Sequence, residues 1–320
     1  YMGKLWIFVN NSGLYKIDMS TFKIEGHYTL LTDYEGNSLR TFYIDKKGYI
    51  WFGTIDGIYI FDPTDGKLSH YKHSRTDPFS LPNNSIWEIS EDRQSNVWIG
   101  TYSGTLCYVN IDENNAFKTY HPQNSGLNHT PVSAFAEDQQ YLWVGTEGGG
   151  INRMNKATGE FSYITSANSI TSNNIKSLIT DAGHNLWIST FMGGLDLYNV
   201  GRQKVTNFKH TKGAPHSLLV NDVRKTILEG DSGMWVAYQY QKAEVSYFSF
   251  REESFTHFSL DSISNNSYLF DILRQGEKTL WAISNETLYR LDIDKHVVEK
   301  MIPNDSTYLG LFTFCLDDSG

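Results

Sequence analysis

The chain has 320 residues, a formal net charge of −9 and 14% aromatic residues. This acidic balance disfavours nucleic acid and anionic lipid as bulk partners. With 7 Pro and 26 Gly, the chain is neither a linker nor a low-complexity sequence. No apolar run approaches the roughly 18 residues of a membrane span, and no signal peptide opens the chain.

Seven of the eight tryptophans mark one repeated motif. Trp6, Trp51, Trp98, Trp143, Trp187, Trp235 and Trp281 follow one another at steps of 45, 47, 45, 44, 48 and 46 residues. A period of that size denotes an array of supersecondary units, none able to bury its apolar face alone. Around each Trp four short runs recur, separated by Gly, Asn, Asp and Ser turns. The first copy gives strands over 4–9, 14–17 and 22–28. The second gives 39–45, 49–54, 58–61 and 67–71; the third gives 85–91, 97–101, 105–111 and 116–120. The fourth gives 132–137, 142–146, 151–154 and 160–164; the fifth gives 175–180, 186–190, 195–198 and 204–208. The sixth gives 223–228, 234–238, 245–250 and 254–258; the seventh gives 269–274, 279–284, 288–291 and 297–301. Four such runs form an up-and-down antiparallel sheet. No stretch holds a 3.6-residue apolar period for three turns, so little helix is expected.

The first copy lacks its first strand, and a matching run appears at the C-terminus over 309–316. Sharing one sheet between the two ends closes a ring and removes open edges. The expected architecture is therefore all-β: a single seven-bladed β-propeller over 1–320. Blade 1 is built from 4–30 plus 309–318. The others span about 37–74, 84–122, 130–166, 173–210, 221–260 and 267–302. Both ends read as cut from a longer chain.

The repeated parts have structural explanations. The Trp ring fills the wedge between blades. Gly53, Gly100 and Gly145 admit a close neighbour. Gly57, Gly104, Gly149 and Gly194 stand where a tight turn needs positive φ. Asp45, Asp92, Asp138 and Asp181 occupy the first turn, where a carboxylate accepts backbone N–H groups. Cys107 and Cys315 lie in strand-like runs of different repeats and read as buried free thiols, which leave the compartment open.

The stretch from Leu81-Pro82-Asn83-Asn84-Ser85-Ile86 through Glu91-Asp92 and Asn96-Val97-Trp98-Ile99-Gly100-Thr101 to Phe117 and Tyr120 resembles the two-component regulator propeller repeat. Gly148-Gly149-Gly150-Ile151-Asn152-Arg153-Met154-Asn155 is similar to another segment of that family. The resemblance covers the chain in seven copies, four strong and three degraded. It implies the periplasmic sensor region of a Bacteroides-type hybrid two-component system. In such a receptor an oligosaccharide is detected and a histidine kinase switches on glycan-utilisation genes. The same resemblance implies a second propeller and a β-sandwich as neighbours, a homodimer, and a membrane tether through segments outside this chain. Neither a cofactor nor a nucleic-acid contact of this fragment is expected.

Candidate ligand contacts come from where the copies disagree. After the shared Gly-Thr the residues diverge, and Tyr102, Tyr238 and Tyr240 fall there. Near the start of each inner strand one column reads Arg40, Trp87, Ser133, Lys176, Arg224, Phe270 and Phe312. A scaffold position repeats; this one does not. Aromatic rings suit the apolar faces of a sugar, and cations suit carboxylate or sulfate. Trp87, the one Trp off the repeat register, is the first choice for stacking, the plain alternative being a plug at the top of the channel. For Arg40, Lys176 and Arg224 the plain alternative is solvation or pairing with Glu88 and Asp222. Phe270 completes the set. Enzyme motifs are missing: there is no zinc spacing, nucleophile elbow or phosphate loop. A polysaccharide lyase or hydrolase, or a purely structural propeller, remain the competing readings.

Overall fold

The computed structural model describes residues 4–9, 13–19, 21, 23–29, 39–102, 105–110, 116–120, 123, 125–238, 243–260, 269–284, 287–301 and the backbone of 311–317. Every regular element among them is a strand. Blade 1 contains β1 (Lys4–Val9), β2 (Gly13–Asp18) and β3 (Ile24–Tyr28). Blade 2 contains β4 (Leu39–Ile44), β5 (Ile50–Thr54), β6 (Gly57–Asp62) and β7 (Lys67–Tyr71). Blade 3 contains β8 (Ile86–Glu91), β9 (Asn96–Thr101), β10 (Leu106–Asn110) and β11 (Lys118–Tyr120). Blade 4 contains β12 (Val132–Glu137), β13 (Tyr141–Thr146), β14 (Gly150–Asn155) and β15 (Phe161–Ile164). Blade 5 contains β16 (Ile175–Thr180), β17 (Leu186–Thr190), β18 (Gly194–Asn199) and β19 (Lys204–Phe208). Blade 6 contains β20 (Val223–Glu229), β21 (Gly233–Tyr238), β22 (Glu244–Ser249) and β23 (Ser254–Ser259). Blade 7 contains β24 (Leu269–Gln275), β25 (Thr279–Ser284), β26 (Leu288–Asp292) and β27 (Val297–Lys300).

The last strand, β28 (Leu311–Asp317), pairs antiparallel with β1 and completes blade 1. The seven sheets each have four strands, and the first strand of every blade contacts the first strand of the next, β28 serving for blade 1. The ring is closed as the sequence predicts. Strand ends fall within two residues of the predicted ones, β11 being the shortest. It starts late because the Phe117 amide donates to the Phe79 carbonyl at 3.0 Å rather than to a strand neighbour.

The seven blade interfaces share one plan. Trp51 of blade 2 packs with Ile86, Ile89, Val97 and Ile99 of blade 3. Trp98 meets Val132, Leu142 and Val144 of blade 4; Trp143 meets Ile175, Leu178 and Ile188 of blade 5. Trp187 meets Val223 and Val236, and Trp235 meets Leu269 and Ile272. Trp281 meets Leu5 and Ile7 of blade 1, and Trp6 meets Leu39 and Phe52 of blade 2. One buried indole per wedge gives a gross hydrophobic gain on the order of 4–6 kcal/mol at each interface.

The glycine after the tryptophan makes this approach possible. A Cβ on Gly53 would lie 2.7 Å from Ile86 of the next blade, one on Gly100 2.8 Å from Val132, and one on Gly145 2.6 Å from Ile175. Of the turn glycines, Gly57 and Gly194 have φ of 110° and 87°. In the Gly148-Gly149-Gly150 run the positive φ falls on Gly148 and Gly150, not on Gly149. That is a correction of register by one residue, caused by the backbone amides of Gly148 and Gly150 both reaching the Asn173 carbonyl at 3.0 Å. Gly104 lies outside the described residues. Cys107 is a buried free thiol; the side chain of Cys315 lies outside the described residues.

The first-turn acids do more than cap turns. Asp45 accepts the amides of Lys47 and Tyr49 on one oxygen and the Trp51 indole N–H on the other, at 2.9 Å. Trp98 donates to Asp92 at 2.7 Å, Trp143 to Asp138 at 3.0 Å and Trp187 to Asp181 at 3.0 Å. In the degraded copies Glu229 and Gln275 do the same for Trp235 and Trp281, both at 2.9 Å. Six of the seven wedge tryptophans are thereby oriented by a polar anchor at the far end of their own hairpin; the Trp6 indole N–H is buried with no hydrogen-bond partner among the described residues.

Candidate functional site

One face of the ring collects the turns joining second to third strands together with the starts of the inner strands. Backbone bonds tie them: Tyr102 N–H to the Ser85 carbonyl at 2.8 Å, Phe191 to Asn174 at 2.9 Å, Gly57 to Asn84 at 2.7 Å and Gly194 to Asn221 at 2.9 Å. This is the face on which the sequence places its candidate contacts.

Each inner strand carries a β-bulge, and all seven bulges sit at the same step. In β4 the register passes from Leu39↔Thr54 to Thr41↔Gly53, leaving Arg40 unmatched. The same skip leaves out Trp87 in β8, Ser133 in β12, Lys176 in β16, Arg224 in β20 and Phe270 in β24. In β28 it leaves out Phe312. The variable column is therefore the bulge column. A bulged residue leaves the regular pleat and its side chain is re-aimed, so the six described side chains, of five kinds, sit at equivalent places around the ring. The bulge itself is not readable from alternation in the sequence; the failure of the column to repeat is its trace.

The structure brings Arg40, Trp87 and Tyr102 together. The Arg40 Cζ lies 4.9 Å from the Trp87 ring centre and 5.3 Å from that of Tyr102. The two rings are 5.4 Å apart and tilted by 36°. Trp87 is partly buried, whereas Tyr102 is 51% exposed. Arg40 Nη1 is shut off from solvent and has no hydrogen-bond partner, and burial lowers the pKa of the guanidinium. Ile55 and Met192, on the corresponding turns of blades 2 and 5, are also exposed, Met192 to 70%. They belong to the divergent stretch that follows Gly-Thr and Ser-Thr.

The other cations have partners different from those expected. Lys176 bonds Glu147 at 2.5 Å and lies 5.5 Å above the Phe191 ring, rather than pairing with Asp222. Arg224 donates from Nε to the Phe270 carbonyl at 2.7 Å, with its Cζ 5.5 Å from the Phe270 ring centre. Asp222 Oδ1 is buried with no hydrogen-bond partner. Burial raises its carboxyl above the usual range, with Lys176 and Arg224 opposing the shift. One step further along the inner strands, Lys225 pairs with Asp271. Glu88 of blade 3 feels this pair from across the bore. Burial pushes its carboxyl up to about 7, while Lys225 and Arg224 pull down and Asp271 adds to the rise.

Tyr238 is not available on this face. It is 1% exposed, and its hydroxyl donates to Ser246 Oγ at 2.7 Å, which meets His257 Nδ1 at 2.7 Å. Its turn position suggested a contact, but the third strand of its own blade captures the side chain. Tyr240 lies outside the described residues.

The family profile described as "Two component regulator propeller" matches residues 33–56 and 80–103. These segments contain β4 with β5 and β8 with β9, so the match falls on the first two strands of blades 2 and 3. A curated protein of Formosa agariphila named "Histidine kinase P4" is 27% identical over 201 residues. The alignment covers 58% of this chain and 14% of that protein, so the chain spans a small part of its relative. Among solved structures, the extracellular domain assigned to the hybrid two component system BT3049 from B. thetaiotaomicron superposes with a TM-score of 0.53 at 16% identity. It is covered to 57%, and this chain to 95%. The RRP9 WD40 repeats superpose with a TM-score of 0.62 at 9% identity, over 83% of this chain and 80% of that one. These likenesses show the propeller fold.

Proposed function

We propose that this propeller is a non-catalytic sensor domain that binds an oligosaccharide outside the cytoplasm and signals to a histidine kinase controlling glycan-utilisation genes. The observation that carries the reading is the ring of seven bulges, which fills one repeated backbone position with residues of five kinds. An aromatic pair, a guanidinium and a buried, unbonded carboxylate oxygen occupy that face. Such a set matches the apolar faces and polar rim of a saccharide. The matched repeat family, the Formosa agariphila histidine kinase and the B. thetaiotaomicron extracellular domain supply the signalling context. In the whole receptor, this propeller would sit in the periplasm beside a second propeller and a β-sandwich, in a homodimer tethered to the inner membrane. Binding signals only through its different strength for two arrangements of that receptor.

Calorimetry against a panel of oligosaccharides, with product analysis of the same mixtures, tests the proposal. Binding without turnover is expected. Trp87→Ala should weaken it by about 1–2 kcal/mol, roughly 5- to 30-fold, through lost ring contact. Turnover would make the domain an enzyme, and unchanged affinity in Trp87→Ala would move the site elsewhere.

A further inference from the structure

We propose that Arg40 receives an anionic oxygen group, a carboxylate or sulfate, so that the saccharide sensed on this face is an acidic one. The inference rests on the sensor reading and adds the charge class of its ligand.

The argument starts from how the cations of this face are compensated. Lys176 has Glu147 and Lys225 has Asp271. Arg224 has the Phe270 carbonyl. Among the described residues Arg40 has only π faces: Trp87 at 4.9 Å and Tyr102 at 5.3 Å. Rings attract a cation through their quadrupole, by about 0.5–2 kcal/mol, but they accept none of its five N–H donors. Nη1 is shut off from solvent without a partner. Nε and Nη2 also form no hydrogen bond among the described residues, yet they are not shut off. The Arg40 Cζ and the two ring centres form a near-equilateral triangle, so both rings lie to one side of the guanidinium and leave its Nε–Nη2 edge without an acceptor among the described residues. That edge is a fork suited to the two oxygens of a carboxylate or sulfate, and a point-charge ammonium would not reproduce it.

The surroundings match the rest of such a ligand. Tyr102 is half exposed and stands 5.4 Å from Trp87, so an apolar sugar face has a ring within one residue's reach of the fork. The chain carries a net charge of −9, and its long-range field does not gather anions. Recognition of an acidic sugar must then be local, through a positioned donor set. A neutral sugar would leave the shielded charge as uncompensated as it is in the free protein.

Ligand pairs that differ only in charge test this. Trigalacturonate and its fully methyl-esterified form make one pair, a monosulfated disaccharide and its desulfated form a second, and inorganic sulfate is the bare probe. Titration calorimetry of the wild-type chain should show the acidic member of at least one pair binding ten-fold or more tightly than its neutral partner. Arg40→Gln should bring both members to the neutral level, and Arg40→Lys should keep only a few-fold preference. Arg40→Lys also serves as the folded control should the glutamine variant be unstable. Equal binding of both members, or an acid preference that survives in Arg40→Gln, overturns the proposal while leaving a neutral-sugar sensor standing. Sulfate binding that depends on Arg40, without binding of any saccharide, supports the oxyanion site and removes the sugar reading. No binding of any probe overturns the proposal.

Discussion

Replacing Asp92 with Ala should cost about 3 kcal/mol, and the structure says where the loss arises. Asp92 is buried at the first turn of blade 3. Its Oδ1 accepts the amides of Gln94 and Asn96 at 2.9 Å, and its Oδ2 accepts Asn96 Nδ2 at 2.9 Å and the Trp98 indole at 2.7 Å. The indole N–H is buried, so removing its acceptor leaves a desolvated donor, a loss of about 1–3 kcal/mol. The turn amides lie nearer the surface and regain water, each losing about 0.5 kcal/mol net. Asp92→Asn should fall between wild type and Ala. An amide oxygen suffices for an indole, as Gln275 shows for Trp281, but it cannot serve the turn at the same time. Asp62→Ala is the reference: this exposed carboxylate accepts Thr64 N–H at 2.8 Å and Thr64 Oγ1 at 2.6 Å without holding a Trp. Its loss should stay under about 1 kcal/mol. Urea unfolding followed by circular dichroism measures all three. If Asp92→Ala loses no more than Asp62→Ala, the acid is a turn cap and not the anchor of the wedge.

Three further outcomes follow from the same geometry. Gly145→Ala should destabilise by about 1–3 kcal/mol, because its Cβ would stand 2.6 Å from Ile175 Cγ2 and 3.2 Å from Ala134 Cβ. Ala237→Gly, the equivalent place in blade 6, should lose no more than about 1 kcal/mol; equal losses in thermal melts would refute the close-approach argument. Glu88 titrates at about 7 in the fold against an ordinary 4.5. The native state therefore binds more protons than the unfolded chain between these values, and the stabilisation present below pH 4.5 is lost as pH rises through 7. The loss is at most about 3 kcal/mol. Glu88→Gln should flatten the slope between pH 4.5 and 7 in urea titrations, and an unchanged slope would assign it to other groups. Finally, burial pushes the Cys107 thiol up. In a Cys315→Ala variant, a thiol reagent should label nothing until urea unfolds the chain, and prompt labelling would contradict the packing.

The fold was legible because its cause is repeated. A single Trp–hydrophobic–Gly–Thr stretch is ambiguous between core and site. Seven at a spacing near 46 residues require seven equivalent environments, and the seven indole-centred interfaces are those environments. The closing strand was legible for a related reason: blade 1 lacked a partner for Trp6's strand, and β28 supplies it. What the sequence understated was the first-turn acid. Its frequency explains a turn, but its second oxygen serves a side chain six residues on, as between Asp45 and Trp51. Such a bond crosses the hairpin and leaves no mark in local spacing. Glu229 and Gln275 hold the same post with longer side chains, which explains how blades 6 and 7 keep the wedge.

The candidate site was legible only as a contrast. Periodicity assigns an inner-strand residue to one face or the other, and neither assignment predicts a bulge, since two residues opposing one break the count that periodicity relies on. What the sequence does carry is the result of selection on different terms. At the step before the bulge, Leu39, Ile86, Val132, Ile175, Val223 and Leu269 are all aliphatic and buried. At the bulge, Arg40, Trp87, Ser133, Lys176, Arg224 and Phe270 follow no common rule of size, charge or polarity. Adjacent positions under opposite constraints mean that the backbone, not the side chain, is held constant at the second. Tyr238 shows the limit of this logic. It too lies where the copies diverge, yet Ser246 on the neighbouring strand, itself bonded to His257, takes its hydroxyl inward. Divergence marks freedom from the scaffold's common rule; whether a side chain then points to a ligand or into its own blade is decided by which polar partner lies within reach.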